Sequence, residues 1–272
     1  MPVTFTAEKL SPSEYSRFSR CPVKCPKLRQ RVQSLADYIS VLGTAITSPG
    51  PFWFRGHARA EWELVPSALR YNTNADRQKA LALLSEFRRV AEIKLDRPPQ
   101  PDEELKWVQL AQHYGLPTRL LDWTESATIA LHFACLELGC DGLVFLMNPI
   151  DLNRFSYRKR PRILDAHSDA AIIRQYLRLA GGQTSRRPAR NTLAVNPVWN
   201  SQRLMLQKGA FTLHGSRRDL DVTQAPSLVA LPILKEYKAQ LRLELDRVGV
   251  DEMTIFPELE HACNFLRRKA DL

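Results

Sequence analysis

At 272 residues with 44% apolar content, the chain has ample material for a core and is long enough for one large domain or two small ones. No apolar run approaches a membrane span, and the opening MPVTFTAEKL lacks the basic-then-apolar layout of a signal peptide, so the expectation is a cytoplasmic protein with no membrane partner. Lys and Arg exceed Asp and Glu by ten, which favours a polyanionic partner, nucleic acid or a phosphorylated small molecule, although no helix-turn-helix, finger or RNA-binding signature is present.

Residues 1–48 read as a helical N-terminal arm. A basic stretch from Arg17 to Arg31 carries Cys21 and Cys25, each followed by proline, and Val32, Leu35, Ile39 and Leu42 then recur at helical spacing up to Gly43. Cys21 and Cys25 have a loose metal-ligand spacing, but no second Cys or His pair follows, so no metal site is expected. With Cys135, Cys140 and Cys263 the cysteines number five, and two of them fall in or beside an expected core helix, which points to free thiols. After a Pro49-Gly50-Pro51 turn, Phe52-Trp53-Phe54-Arg55-Gly56 has the aromatic richness of a buried strand that ends in a charge and a glycine. Arg55 there has a planar fork suited to a carboxylate or phosphate, or equally to a structural pairing with an acid, while Gly56 leaves room for backbone or ligand. Arg77 to Asp96 reads as a long helix burying Leu81, Leu84, Phe87, Val90 and Ala91.

The densest mixture of polar and apolar residues is Gln112 to Cys135. Trp107, Leu110, Ala111 and Tyr114 lie at helical spacing, and Gly115 with Pro117 stops that helix at Tyr114. Thr118 to Trp123 reads as a strand, with Thr118, Leu120 and Asp122 on one face and Arg119, Leu121 and Trp123 on the other. Asp122 and Arg119 would be partly desolvated there and need partners: either Asp122 caps the next helix or pairs with a core cation, or one face lines a polar pocket. His113 and Gln109 stand four apart on the preceding helix. Thr124 is the expected N-cap of a helix from Glu125 to about Leu138, stopped by Gly139.

Leu143 to Met147 is an apolar strand, and residues 151–197 read as a basic insertion. Arg154, Arg158, Lys159, Arg160, Arg162, Arg186, Arg187 and Arg190 make it the best candidate for touching nucleic acid, or else a solvated loop. Asn200 is the expected N-cap of a helix from Ser201 to Lys208 that sets Arg203 and Gln207 four apart. A strand at Ala210 to Leu213 follows, then a helix from Leu234 to Val248 and a last helix after Pro257 buried through Leu259, Ala262, Cys263 and Leu266. Short, scattered strands among many helices argue an α+β fold, a short-stranded central sheet surrounded by helices. No P-loop, dinucleotide fingerprint, HExxH or nucleophile elbow occurs, so any catalysis comes from residues assembled by the fold.

Phe54-Arg55-Gly56 with Pro66-Ser67, the block AQHYGLPTRLLDWT, RLMLQKGAFTLH and IFPELEHACNFL together resemble the FRG domain, a module of bacterial and phage proteins, over about Pro51 to Leu266. The resemblance implies an FRG domain over residues 49–272 and an effector or defence component binding a nucleotide-type ligand. More distantly, a strand ending in Arg-Gly and the strand and helix of Leu120 to Leu131 are similar to the ADP-ribosyltransferase superfamily, with NAD as substrate. On that resemblance Arg55 holds the NAD pyrophosphate, Thr118, Asp122 or Thr124 contacts the nicotinamide ribose, and Gln207 or an unidentified acid orients the acceptor. The implied catalytic set is Arg55, His113, Asp122 and Gln207, and the ligand-binding set adds Gly56, Thr118, Arg119, Trp123, Thr124 and Arg203. The sequence offers no clear glutamate strand to close the superfamily pattern. The rival reading is a non-catalytic nucleic-acid- or protein-binding module.

Overall fold

Alternation along β1 (Trp53–His57) sends Trp53 into one core and Phe54 into another, so the sheet is covered on both faces. In the computed structural model the described residues are 7–47, 49–157, 161–177, 191–198, 201–216 and 219–270. Ahead of β1 lie a short helix α1 (Pro12–Ser16) and α2 (Leu35–Ala45), each opened by a serine capping box. After it come α3 (Asn74–Lys94), α4 (Glu104–His113), β2 (Leu120–Thr124), α5 (Ala127–Ala134), β3 (Gly142–Met147), α6 (Pro149–Ser156) and α7 (Ala170–Leu177). The chain closes with β4 (Thr192–Val195), α8 (Gln202–Leu206), β5 (Gly209–His214), β6 (Val229–Ile233), α9 (Lys235–Arg247), α10 (Glu252–Ile255) and α11 (Leu259–Lys269).

The strands form one antiparallel sheet in the order β4-β5-β2-β1-β3-β6, an α+β architecture. Pairing is uneven in a way that decides where a site can form. β1 runs along β3 through five residue pairs, but it meets β2 only at Phe54 and Thr124. The sheet is therefore two three-stranded halves joined at a narrow seam. One face is continuous, with Trp53, Phe145, Trp123, Ala210 and Ala194 in a single cluster closed by the N-terminal Phe18 and Val23. The other face is divided. Phe54, Val144 and Leu146 pack under α5, α2 and α9, whereas Leu120, Phe211 and Leu213 pack with Leu105 and Val108 of α4 and with α7. A gap remains between these two groups of helices.

The half under α5 is held at short range. A Cβ on Gly56 would lie 1.9 Å from the Ala130 carbonyl oxygen and 2.6 Å from the Ala134 nitrogen, so only glycine lets α5 sit this close to β1. Lys238 of α9 is fully buried and donates from Nζ to the carbonyls of Ala58 (2.7 Å) and Glu137 (2.9 Å), tying the end of β1 to the segment after α5. Lys238→Met would strand both carbonyls and is expected to cost about 2–4 kcal/mol in urea unfolding.

Several expectations need correcting. Ser126, not Thr124, caps α5, because the Thr124 hydroxyl is engaged in donating to the Gln207 carbonyl. That helix ends at Ala134 rather than near Leu138. On α2 Leu42 is buried as expected, but Tyr38 and Val41 are buried and Ile39 is exposed; on α3 Ala91 is buried and Leu81, Leu84 and Phe87 are partly buried as expected, with Val90 exposed. The final helix buries no residue: Leu259 is 79% exposed and Leu266 is exposed too, because α11 rests on α10 at the edge of the fold. β4 and β6 go unannounced in the sequence, one inside a basic stretch and one carrying Pro232, which an edge strand tolerates. Arg158, Lys159, Arg160, Arg186, Arg187 and Arg190 lie outside the described residues, and Ser201, not Asn200, caps α8. No helix among the described residues is long and apolar enough to cross a membrane.

Candidate functional site

At the gap between the sheet halves lies an open cavity of about 500 Å³. Arg55 is part of its lining. The guanidinium leaves β1 where the ladder to β2 has lapsed, and its Nη1 donates to the backbone carbonyl of Asp122 at 2.5 Å, supplying a donor that the missing strand pairing would otherwise provide. Its Nε donates to His57 Nε2 at 3.0 Å. The Asp122 carboxylate stands 4.0 Å away and is 64% exposed, against 17% for the arginine side chain. Burial lowers the Arg55 pKa to about 10, with Asp122 opposing the shift and Arg70 adding to it, so the group stays cationic at neutral pH.

His57 carries no signal in a single sequence beyond its place after Gly56, yet it orients the arginine. An Arg Nε–H can only donate, so His57 Nε2 is the acceptor and the ring is the neutral tautomer with its proton on Nδ1. Burial, followed by the charges of Arg55 and Arg70, holds its pKa well below 6.5. His132 on α5 is just as buried, and burial lowers it to about 4; Arg242 and Arg268 push the same way while Asp246 and Asp251 oppose.

These two rings give a pH dependence of known sign. Their folded pKa values lie below the unfolded value near 6.5, so the unfolded chain takes up protons first as pH falls. The stability they contribute is complete above about pH 6.5 and is lost toward pH 4, at up to about 1.4 kcal/mol per pH unit for each ring. Urea unfolding between pH 7.5 and 5 is expected to show this fall, and His132→Gln to flatten it.

Of the residues singled out in the sequence, Arg55, Gly56, His113, Asp122, Trp123, Thr124, Arg203 and Gln207 all border the cavity. The indole of Trp123 nevertheless belongs to the core, where Nε1 donates to Thr212 Oγ1 at 3.0 Å. Arg203 is partly engaged, 3.7 Å from Glu258 and stacked over the Phe256 ring. His113 has a pKa lowered by burial and then by the charge of Arg203. Thr118 and Arg119 do not border the cavity. The Thr118 hydroxyl donates to Gln112 Oε1, and Gln112 Nε2 in turn donates to Asp122 Oδ1 at 2.6 Å, so Thr118 acts on the carboxylate at one remove. Arg119 lies in a separate recess of about 30 Å³ beside Leu84 and Val108, buried, with Nη1 donating to the Gly215 carbonyl at 2.7 Å. Asp122 is exposed rather than desolvated, because it points into the gap. In the basic stretch, Arg162 is engaged with Asp169 at 2.7 Å and Arg154 with Asp151 at 2.7 Å.

Sequence reasoning missed the apolar wall of this cavity. Trp62, Phe54, Phe133, Leu136 and Phe211 also line it, and Trp62 is 44% exposed. Cations, amides and carboxylates thus share one opening with aromatic and aliphatic side chains. The family model of the FRG domain matches residues 50–139, from the turn before β1 to just beyond α5. This chain carries an FRG domain. The match supplies Arg55, Gly56, His57, His113 and Asp122, together with the helix whose close packing demands the glycine. It covers about a third of the chain, and β3, β4, β5 and β6, which complete the sheet around the FRG domain, lie beyond it. No curated protein and no solved structure matches the chain.

Proposed function

We propose that the cavity binds a phosphorylated, nucleotide-type ligand, with Arg55 on the phosphates and the Trp62 side receiving the base. The observation that carries this reading is the clasped guanidinium of Arg55 in the lining of an open cavity that Trp62, Phe133 and Phe211 also line. NAD fits that chemistry, and ADP-ribosyl transfer is the activity we assign to it. Transfer breaks the bond from ribose C1′ to nicotinamide and forms one to an acceptor nucleophile, whose proton passes to a base. Asp122, exposed and oriented by Gln112, is the carboxylate placed to stabilise the cationic ribose or take that proton.

The test is mass spectrometry of NAD and of candidate acceptor proteins after incubation with the full chain and with Asp122→Asn. Free nicotinamide and an ADP-ribosyl mass on an acceptor, both lost in the variant, support transfer. Intact NAD with ADP-ribose still bound in calorimetry restricts the site to recognition. Nucleic-acid binding that falls steeply with salt, with no nucleotide binding, would instead favour a basic recognition module.

A further inference from the structure

Two side-chain amides in the cavity wall hold donors that no atom of the described residues accepts. Gln109 of α4 is only 4% exposed, and its Oε1 accepts from the backbone N–H of Val198 at 3.3 Å. That bond fixes which end of the amide is committed and leaves Nε2 without a partner. Gln207, after α8, has its backbone carbonyl held by Thr124 at 2.7 Å, and its buried Nε2 is also unpartnered. Both residues border the same cavity as Arg55 and Arg203. Buried amide donors are nearly always paired in folded proteins, so two unpartnered ones on residues lining a single cavity point to acceptors that a ligand supplies once the side chains turn into the opening, neither nitrogen being exposed in the free protein.

We infer that Gln109 and Gln207 form a donor subsite for acceptor oxygens of the bound ligand, either phosphate oxygens or the carbonyl of a neutral carboxamide. The inference rests on the nucleotide reading and adds to it. Arg55 supplies charge, whereas these amides select groups that accept and do not donate. They come from α4 and from the end of α8, so the subsite spans both the FRG domain and the strands beyond it, and Gln207 serves the ligand directly rather than as a substitute acid.

The test follows the side-chain amide resonances of Gln109 and Gln207 in the ¹⁵N-labelled full chain as ADP-ribose and, separately, nicotinamide are added, with Gln109→Glu as a binding variant. Glutamate keeps an oxygen for the Val198 N–H but has no donor. We expect both amide resonances to shift saturably with one probe, and Gln109→Glu, where it folds, to weaken that probe at least tenfold. A response to ADP-ribose identifies the phosphate-bearing part as the source of the acceptors, and a response to nicotinamide identifies the carboxamide. Should either probe move backbone resonances around the cavity while both amides stay still, the subsite is wrong and the nucleotide reading survives. The amide shifts are read in the unmutated protein, so they decide the matter even where the variant misfolds. A chain in which neither probe moves any cavity resonance overturns both.

Discussion

Gly56→Ala is expected to destabilise the protein more than any other methyl-sized change in the FRG domain. The new Cβ would fall 1.9 Å from the Ala130 carbonyl oxygen, a backbone atom of α5 that has no rotamer to move away. Either α5 lifts from the sheet or β1 bends, and overpacking of this kind costs about 3 kcal/mol or more. For a chain of this size that is a fall of roughly 6–12 °C in melting temperature. Gly43→Ala is the control: nothing lies within 4 Å of the added methyl on α2, and alanine there is expected to stabilise the helix by up to about 1 kcal/mol. Equal behaviour of the two variants would show that close helix–strand packing is not why Gly56 is a glycine.

Arg55→Lys is the second large effect, on binding rather than stability. Lysine keeps the charge but lacks the fork that reaches His57, the Asp122 carbonyl and a ligand phosphate together. The expected loss is about a hundredfold in ADP-ribose affinity by calorimetry, close to 2.7 kcal/mol, with the melting temperature lowered by only a few degrees. His57→Leu is expected to lower affinity roughly tenfold through the same arginine, so the double variant should bind no worse than Arg55→Lys alone. An Arg55→Lys protein that unfolds but, where still folded, binds normally would make the arginine a structural strut.

The distinction between the two effects explains what could be read from the sequence. Local signals were sufficient for pieces: aromatic residues running into Arg55 and Gly56 gave β1, Gly115 and Pro117 gave the end of α4, and alternation placed Leu121 and Trp123 opposite Asp122. They also gave Arg203 and Gln207 as polar residues of one short helix region. Periodicity does not say which strand face meets a gap between helix groups, which is why Trp123 and Arg119 were expected at the ligand and instead serve the core and the Gly215 carbonyl. Gly56 reads as room for backbone or ligand, and it is the backbone of α5 that comes close, a choice that nothing local in one sequence reveals. The single-pair seam between β1 and β2 depends on the pairing of β5 and β3 on either side, so no local window contains it. His57, Gln109 and Trp62 acquire their roles only from that seam.

The most direct measurement is a crystal structure of the full chain grown with ADP-ribose. The account predicts the ligand in the gap between β1 and β2, with a phosphate oxygen within hydrogen-bond distance of the Arg55 guanidinium and the adenine against the Trp62 side. Density for ADP-ribose elsewhere on the protein, or an empty cavity at saturating ligand, would contradict it.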